Sequence, residues 1–359
     1  MTINERFLQI YHGKKPDMHG LGIYARYLPT GDIERLARNA NLGIIAYVPL
    51  TSQMSPPWHL LPGYLSQIKN TNITIKYNWE KKHFFESRIY ETPIGTIFAE
   101  IEKSKGVGSE HIRCFYIKGF EDYKIMEYIV SNSVMESNEK LYLSAEDNLG
   151  KDGVVLGRLD RSPYQKLLLE LCGAEKLFLD MMDEPEIVDG LIDAMNRRYL
   201  EQVRIAMDSH AQVIWIPDNV TADMTPPKHF EKYHLPLYKH VVKSAHKAGK
   251  IVAAHFDGKA KSLLPLIQQI GFDVIESVSD PMIGGDLSYT DWCKALPDAV
   301  ILPNFPSNLC LAKDDEIIHY VKKLKELSSE RPFMLQFSED LADGTWKRIV
   351  PLAIEAMYD

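Results

Sequence analysis

The sequence predicts an α/β fold, a parallel barrel with an N-terminal β-rich excursion, and two observations carry that prediction. From about residue 150 onward, short apolar runs alternate with longer helical patterns, the signature of βα units feeding a parallel sheet. The chain has 359 residues, 45% hydrophobic and 25% charged, which is enough for one large barrel with excursions and is typical of a water-soluble globular fold.

The strands are expected at Val154-Val-Leu-Gly, Val213-Ile-Trp-Ile, Ile251-Val-Ala-Ala, Val274-Ile-Glu-Ser-Val, Val300-Ile-Leu-Pro and Phe333-Met-Leu-Gln-Phe, each apolar enough to be buried on both faces. Between them, Asp183-Glu-Pro-Glu opens a helix with capping-box-like spacing, and Ile187, Val188, Leu191, Ile192, Met195, Tyr199, Val203 and Ala206 keep one apolar face through it. A second helix follows Pro226-Pro227, is kinked at Pro236 and stops at Gly249. Later helices are expected at 260–270, 314–327 and 345–357, the last with Pro351 inside it. Before residue 150, Leu42–Val48 reads as an early barrel strand. The runs starting at Asn72, Phe84, Gly95 and Arg113 read as antiparallel hairpins.

Composition excludes several function classes. A net charge of -8 offers no attraction for a phosphate backbone, so nucleic acid is not an expected partner. No apolar run approaches a membrane span, and the start of the chain is too polar for a signal peptide, so a cytoplasmic location is expected. Cys114, Cys172, Cys293 and Cys310 are widely separated, which suits small buried side chains in a reducing compartment. Neither a Walker loop nor a dinucleotide fingerprint is present.

In a parallel barrel, catalytic groups collect just past the C-terminal ends of the strands. Polar residues recur there: Asp218 and Asn219, His255 and Asp257, Glu276, Asn304, and Glu339 with Asp340. In an extended segment His255 and Asp257 point to the same side, and Gly258 lets the chain turn away. With Glu276 and Glu339 arriving from neighbouring strands, the set could hold a divalent metal such as zinc; a hydrogen-bonded His–Asp pair is the plainer alternative. Asp218-Asn219 reads equally as a substrate contact or a helix N-cap, and Trp215 as core.

The stretch from Asp218 to Pro236, the helix ending at Ala248-Gly249 and the strand closing on His255-Phe256-Asp257-Gly258 together resemble the uroporphyrinogen decarboxylase superfamily. The segment from Phe333 to Met357 resembles its last strand and helix, and Arg26-Tyr27-Leu28-Pro29 is similar to the decarboxylase's Arg-Tyr-Leu-Pro. The resemblance covers roughly residues 150–359. It implies a (β/α)8 TIM barrel forming a single domain over 1–359, with a hairpin-rich insertion at about 70–120, and a homodimer.

Two branches of the superfamily differ in chemistry. The decarboxylases are metal-free and hold substrate carboxylates with an Arg-rich N-terminal signature; here the chain reads Gly22-Ile-Tyr-Ala-Arg26, without the preceding arginine. In that reading Arg26 and Asp218 would do the work. The other branch moves methyl groups between small molecules and the cobalt of a partner corrinoid protein, and its thiol-acting members bind zinc through His-x-Cys and a later Cys. Here His255 matches the histidine, Asp257 stands in the first Cys position and Glu339 falls near the second. Glu276 matches a glutamate beside that metal, as fourth ligand or acid/base. Harder oxygen ligands suit a Lewis acid acting on oxygen, which shifts the expected substrate from a thiol to a methoxyaromatic compound.

The resemblance therefore implies a corrinoid-dependent O-demethylating methyltransferase with zinc on His255, Asp257 and Glu339, and substrate contacts from Asp218, Asn219, Asn304 and Arg26. Methyl transfer to tetrahydrofolate, metal-free decarboxylation and a non-enzymatic tetrapyrrole-binding protein are the alternatives.

Overall fold

Twelve strands follow one another along the chain: β1 (Gly20–Tyr24), β2 (Gly43–Pro49), β3 (Asn72–Glu80), β4 (His83–Thr92), β5 (Gly95–Lys103), β6 (Glu110–Cys114), β7 (Gly153–Arg158), β8 (Val213–Val220), β9 (Ile251–Phe256), β10 (Val274–Val278), β11 (Val300–Pro303) and β12 (Met334–Phe337). They belong to a computed structural model that describes residues 1–28, 31–55, 64–80, 83–103, 110–342 and 344–359. Pro29, part of the Arg-Tyr-Leu-Pro segment, lies outside the described residues.

Eight strands form one sheet in the order β11-β10-β9-β8-β7-β2-β1-β12. It closes on itself where Asn304 bridges Gln336 in parallel and the Phe305 amide donates to the Gln336 carbonyl at 2.7 Å. The result is an eight-stranded TIM barrel, and each of the six apolar runs expected after residue 150 is one of its staves.

Alternate residues point inward. Tyr24, Ile45, Val154, Leu156, Val213, Trp215, Ala253, Val274, Val300, Leu302 and Met334 form a buried cluster with Phe7, Ile10 and Tyr11 from α1 (Ile3–Tyr11), which stops the N-terminal end of the barrel. The helix begins with a capping box between Thr2 and Glu5. Its close approach demands glycine at Gly43, where a Cβ would stand 2.2 Å from the Phe7 ring.

The chain folds as two compact units. The barrel lies in the first, residues 1–48, 140–158 and 210–359; the second contains 49–139 and 159–209. The expected insertion at about 70–120 is thus part of a larger second body. There β3–β6 form an antiparallel sheet in sequence order. Tyr90, Ile97, Ala99 and Ile101 are buried on it, as are Tyr123, Met126, Ile129 and Val130 of the helix Phe120–Asn132.

Several local expectations change. The helix after Asp183 spans Pro185–Met207, but its N-cap residue Glu184 makes no side-chain cap: Pro185, whose missing N–H costs nothing in the first turn, opens it. Pro236, expected to kink a helix from within, instead lies in the first turn of the helix Leu235–Lys247, where proline is tolerated, after a π-helical turn, Phe230–His234. Helix 260–270 reduces to a 3-10 turn, Lys261–Leu263, and one α turn, Leu264–Ile267. Among the described residues, no helix is long and apolar enough to cross a membrane.

Candidate active site at the barrel mouth

The site is built from inward positions near the C-terminal ends of the strands. His255 on β9 and Glu276 on β10 are register partners, and both are buried. Glu276 Oε1 accepts the Trp215 indole N–H at 2.7 Å and lies 2.6 Å from His255 Nδ1. An indole nitrogen can only donate, so Oε1 is an acceptor and Nδ1 carries the hydrogen that faces it. That tautomer leaves His255 Nε2 with its lone pair. The other carboxylate oxygen, Oε2, accepts the Tyr24 hydroxyl at 2.6 Å, and the same hydroxyl is 3.3 Å from His255 Nδ1. With three donors converging on it, Glu276 orients the imidazole in the manner of a carboxylate behind a working histidine. This is a different task from the ligand or acid/base expected of it.

Asp257 follows β9, and Gly258 takes φ +97°, a turn that a side chain would strain. Asp257 Oδ1 accepts the Ser279 hydroxyl at 2.6 Å. Glu339, just past β12, is half-buried. Its carboxyl is pushed up to about 7, first by burial and then by the charge of Asp257, while Asn304, His255 and Ser307 pull in the other direction. Asn304 is fully buried, and its Oδ1 accepts both the backbone N–H of Ser338 at 3.1 Å and the Ser338 hydroxyl at 2.8 Å. Those two donors fix the amide, and its buried NH2 has no hydrogen-bond partner among the described residues. Ser338 in turn meets Ser277 at 2.7 Å, and Ser277 sits at φ +61°, a strained conformation beside Glu276.

Aromatic rings line the same end. Trp215 and Tyr47 have centroids 4.8 Å apart, Tyr24 lies 5.8 Å from Trp215, and Tyr27 stacks on Tyr24 at 6.3 Å. Tyr27 and Tyr47 are each partly exposed. The Tyr27 phenol is raised by burial, with Asp340, Tyr47 and Glu339 adding to it. Arg26, exposed in the turn Ala25–Tyr27, holds its guanidinium 4.7 Å from the Tyr27 ring centroid.

The mouth thus joins His255, Glu276, Asp257, Glu339 and Asn304. Asp218 and Asn219 are placed differently. They lie within β8 at a bulge, with Asn219 at φ +49°, so the helix N-cap reading is replaced by a strained strand end. Asp218 Oδ2 accepts the hydroxyl of Tyr238, a residue of the helix Leu235–Lys247, at 2.5 Å. Trp215, expected as core, is buried but also holds Glu276.

Among the described residues, no three His, Cys, Asp or Glu side chains stand so as to hold a metal ion. One Asp257 oxygen is taken by Ser279, and His255 Nδ1 by Glu276. His255, Asp257 and Glu339 share a rim, where the other Asp257 oxygen and His255 Nε2 would be the atoms to face a cation.

Residues 165–338 match the family model for uroporphyrinogen decarboxylase (URO-D). No curated protein sequence matches the chain. Among solved structures, a methyltransferase from Methanosarcina mazei superposes with a TM-score of 0.57 at 12% identity, covering 99% of this chain and 98% of that one. At that identity the likeness concerns the fold, and it includes the barrel just described. Over residues 165–338, then, the chain is similar to the uroporphyrinogen decarboxylase family.

Proposed function

We propose that this protein is a methyltransferase of that superfamily that removes the methyl group of a methoxyaromatic compound and passes it to the cobalt of a partner corrinoid protein. The observation that carries the reading is the place of Glu339, a carboxyl pushed up to about 7 and so still partly protonated at neutral pH, at the edge of an aromatic-walled mouth. The name of the superposed methyltransferase supports the reaction class.

The partly exposed rings of Tyr27 and Tyr47 suit an aromatic substrate, and Arg26 suits a carboxylate on it. The corrinoid, as methyl acceptor, supplies the electron pair that forms the new bond to the methyl carbon. As the carbon–oxygen bond breaks, its electrons stay on the oxygen, and Glu339 gives that oxygen its proton, so the product leaves as a neutral phenol. Burial first, and the charge of Asp257 second, keep the proton on Glu339 until then. His255 Nε2 accepts a hydrogen bond from the product hydroxyl, held in line by Glu276, Tyr24 and Trp215.

The test is incubation with a reduced corrinoid protein and a panel of methoxyaromatics, following the cobalt spectrum. Methylation of cobalt with release of a phenol is expected. Turnover with methyltetrahydrofolate alone, or carbon dioxide release from uroporphyrinogen, would assign the site to one of the alternatives.

A further inference from the structure

The second unit contains a cavity of about 50 Å³ that the reaction above does not use. Its wall includes Gln53, Met54, Lys166, Met195 and Arg198. Most of the polar groups around it are matched. Ser66 donates to Ser52, which donates to the Val134 carbonyl. Lys166 Nζ has three acceptors: the Ser55 carbonyl at 2.8 Å, Asp160 at 2.8 Å and Glu170 at 3.0 Å. Arg161 pairs with Glu170 at 2.8 Å, and Arg198 pairs with Glu201 and the Ser133 carbonyl.

Two groups are left over. Gln53 is 2% exposed, yet among the described residues neither its Oε1 nor its Nε2 has a hydrogen-bond partner, and Arg198 Nε is likewise buried without one. The Gln53 main chain is tied on both sides, its N–H to the Tyr64 carbonyl and its carbonyl to the Ser66 N–H, each at 2.8 Å. The side chain therefore cannot leave by a backbone shift. A buried primary amide with nothing on either end is costly, and an apolar residue of similar size would fill the place better. The cavity is also large enough to admit more than a water.

We propose that this cavity binds a small neutral molecule through a carboxamide end group. Gln53 Oε1 accepts from the ligand N–H, while Gln53 Nε2 and Arg198 Nε donate to its carbonyl oxygen, the arrangement by which two amides pair. The neutrality follows from the wall: Lys166, Arg161 and Arg198 are matched one for one by Asp160, Glu170 and Glu201, so a carboxylate ligand would bring an unmatched charge. Met54 and Met195 supply adaptable apolar surface for the rest of the ligand.

Acetamide is the probe, with acetate as its charged counterpart, and the methyl resonances of Met54 and Met195 in methionine-labelled full-length protein are the readout. Acetamide should shift both saturably, and acetate should bind roughly tenfold more weakly or worse. Gln53→Leu should abolish the acetamide shift while leaving Tm unchanged or higher, since it removes the unmatched amide. Gln53→Met is the second variant should Leu not fold. Acetate binding as well as acetamide, shifts that persist in either variant, or a saturated cavity of ordered water alone that excludes acetamide would overturn the site.

Discussion

Glu339 faces Asp257 across the barrel mouth from 82 positions away in the chain, 257 to 339, and burial first and that charge second push its carboxyl up to about 7. A glutamic acid whose ordinary value is 4.5 is thereby a proton donor at neutral pH.

Activity should fall as pH rises through about 7, because the donor form of Glu339 is lost there. Glu339→Gln should lower turnover and flatten that limb of the pH–rate profile. A limb that survives in the variant would assign the titration to another group.

Asp257→Asn removes the charge but not the burial, so the limb should move to lower pH while staying above the ordinary carboxylate range. Rate profiles of the two proteins under single-turnover conditions make the comparison. An unmoved limb would mean that burial alone sets Glu339.

The same shift has a stability counterpart with a definite sign. The folded state keeps the Glu339 proton between 4.5 and about 7, so its contribution favours folding less and less as pH rises through that window, and the full penalty is present above it. Glu339→Gln should therefore stabilise the protein at pH 8 by on the order of 1–3 kcal/mol and hardly at all at pH 4. Urea melts at the two pH values would show it.

The Glu276 carboxylate is the most heavily used group of the mouth, and removing it strands three partners. Glu276→Ala should cost about 3–5 kcal/mol, whereas Trp215→Phe, which removes one donor, should cost about 1 kcal/mol. The conservative variant should also broaden the His255 ring resonances without moving the fold. Equal losses from both substitutions would contradict the anchoring role.

Zinc analysis checks the rim independently. Zinc content after purification without chelator, and cobalt methylation before and after chelation, separate proton donation by Glu339 alone, which expects turnover to survive chelation, from a cation held at the rim. One tightly held ion lost with activity on dialysis would restore the ligand set His255, Asp257 and Glu339.

The later barrel strands were legible because each is an unbroken apolar run between turn residues, as at Val274-Ile-Glu-Ser-Val. β1 was not, since Gly20-Leu-Gly-Ile-Tyr carries two glycines that dilute its apolar signal; they stand where Met334, Ile10 and Ile45 leave no room for a Cβ. At the site, His255, Asp257, Glu339 and Asn304 followed from the strand-end rule. Trp215 and Tyr24 did not, because an aromatic ring inside an apolar run reads as core, and its single polar atom matters only once its neighbour is known. Inward alternation counted back from Pro217 would have put Trp215 on the lumen side. The bulge that moves Asp218 toward Tyr238 has no sequence signal beyond Pro217-Asp218-Asn219 itself.

The barrel closes by pairing Gly20–Ile23 with Met334–Phe337, register partners more than three hundred residues apart. During synthesis at roughly 5–20 residues per second, the seam cannot zip until tens of seconds after β1 leaves the ribosome. Through that interval Phe7, Ile10 and Tyr11 have no lumen to fill, so the nascent chain displays a sticky aromatic stripe that invites chaperones, and its folding is slow because its longest-range contact comes last.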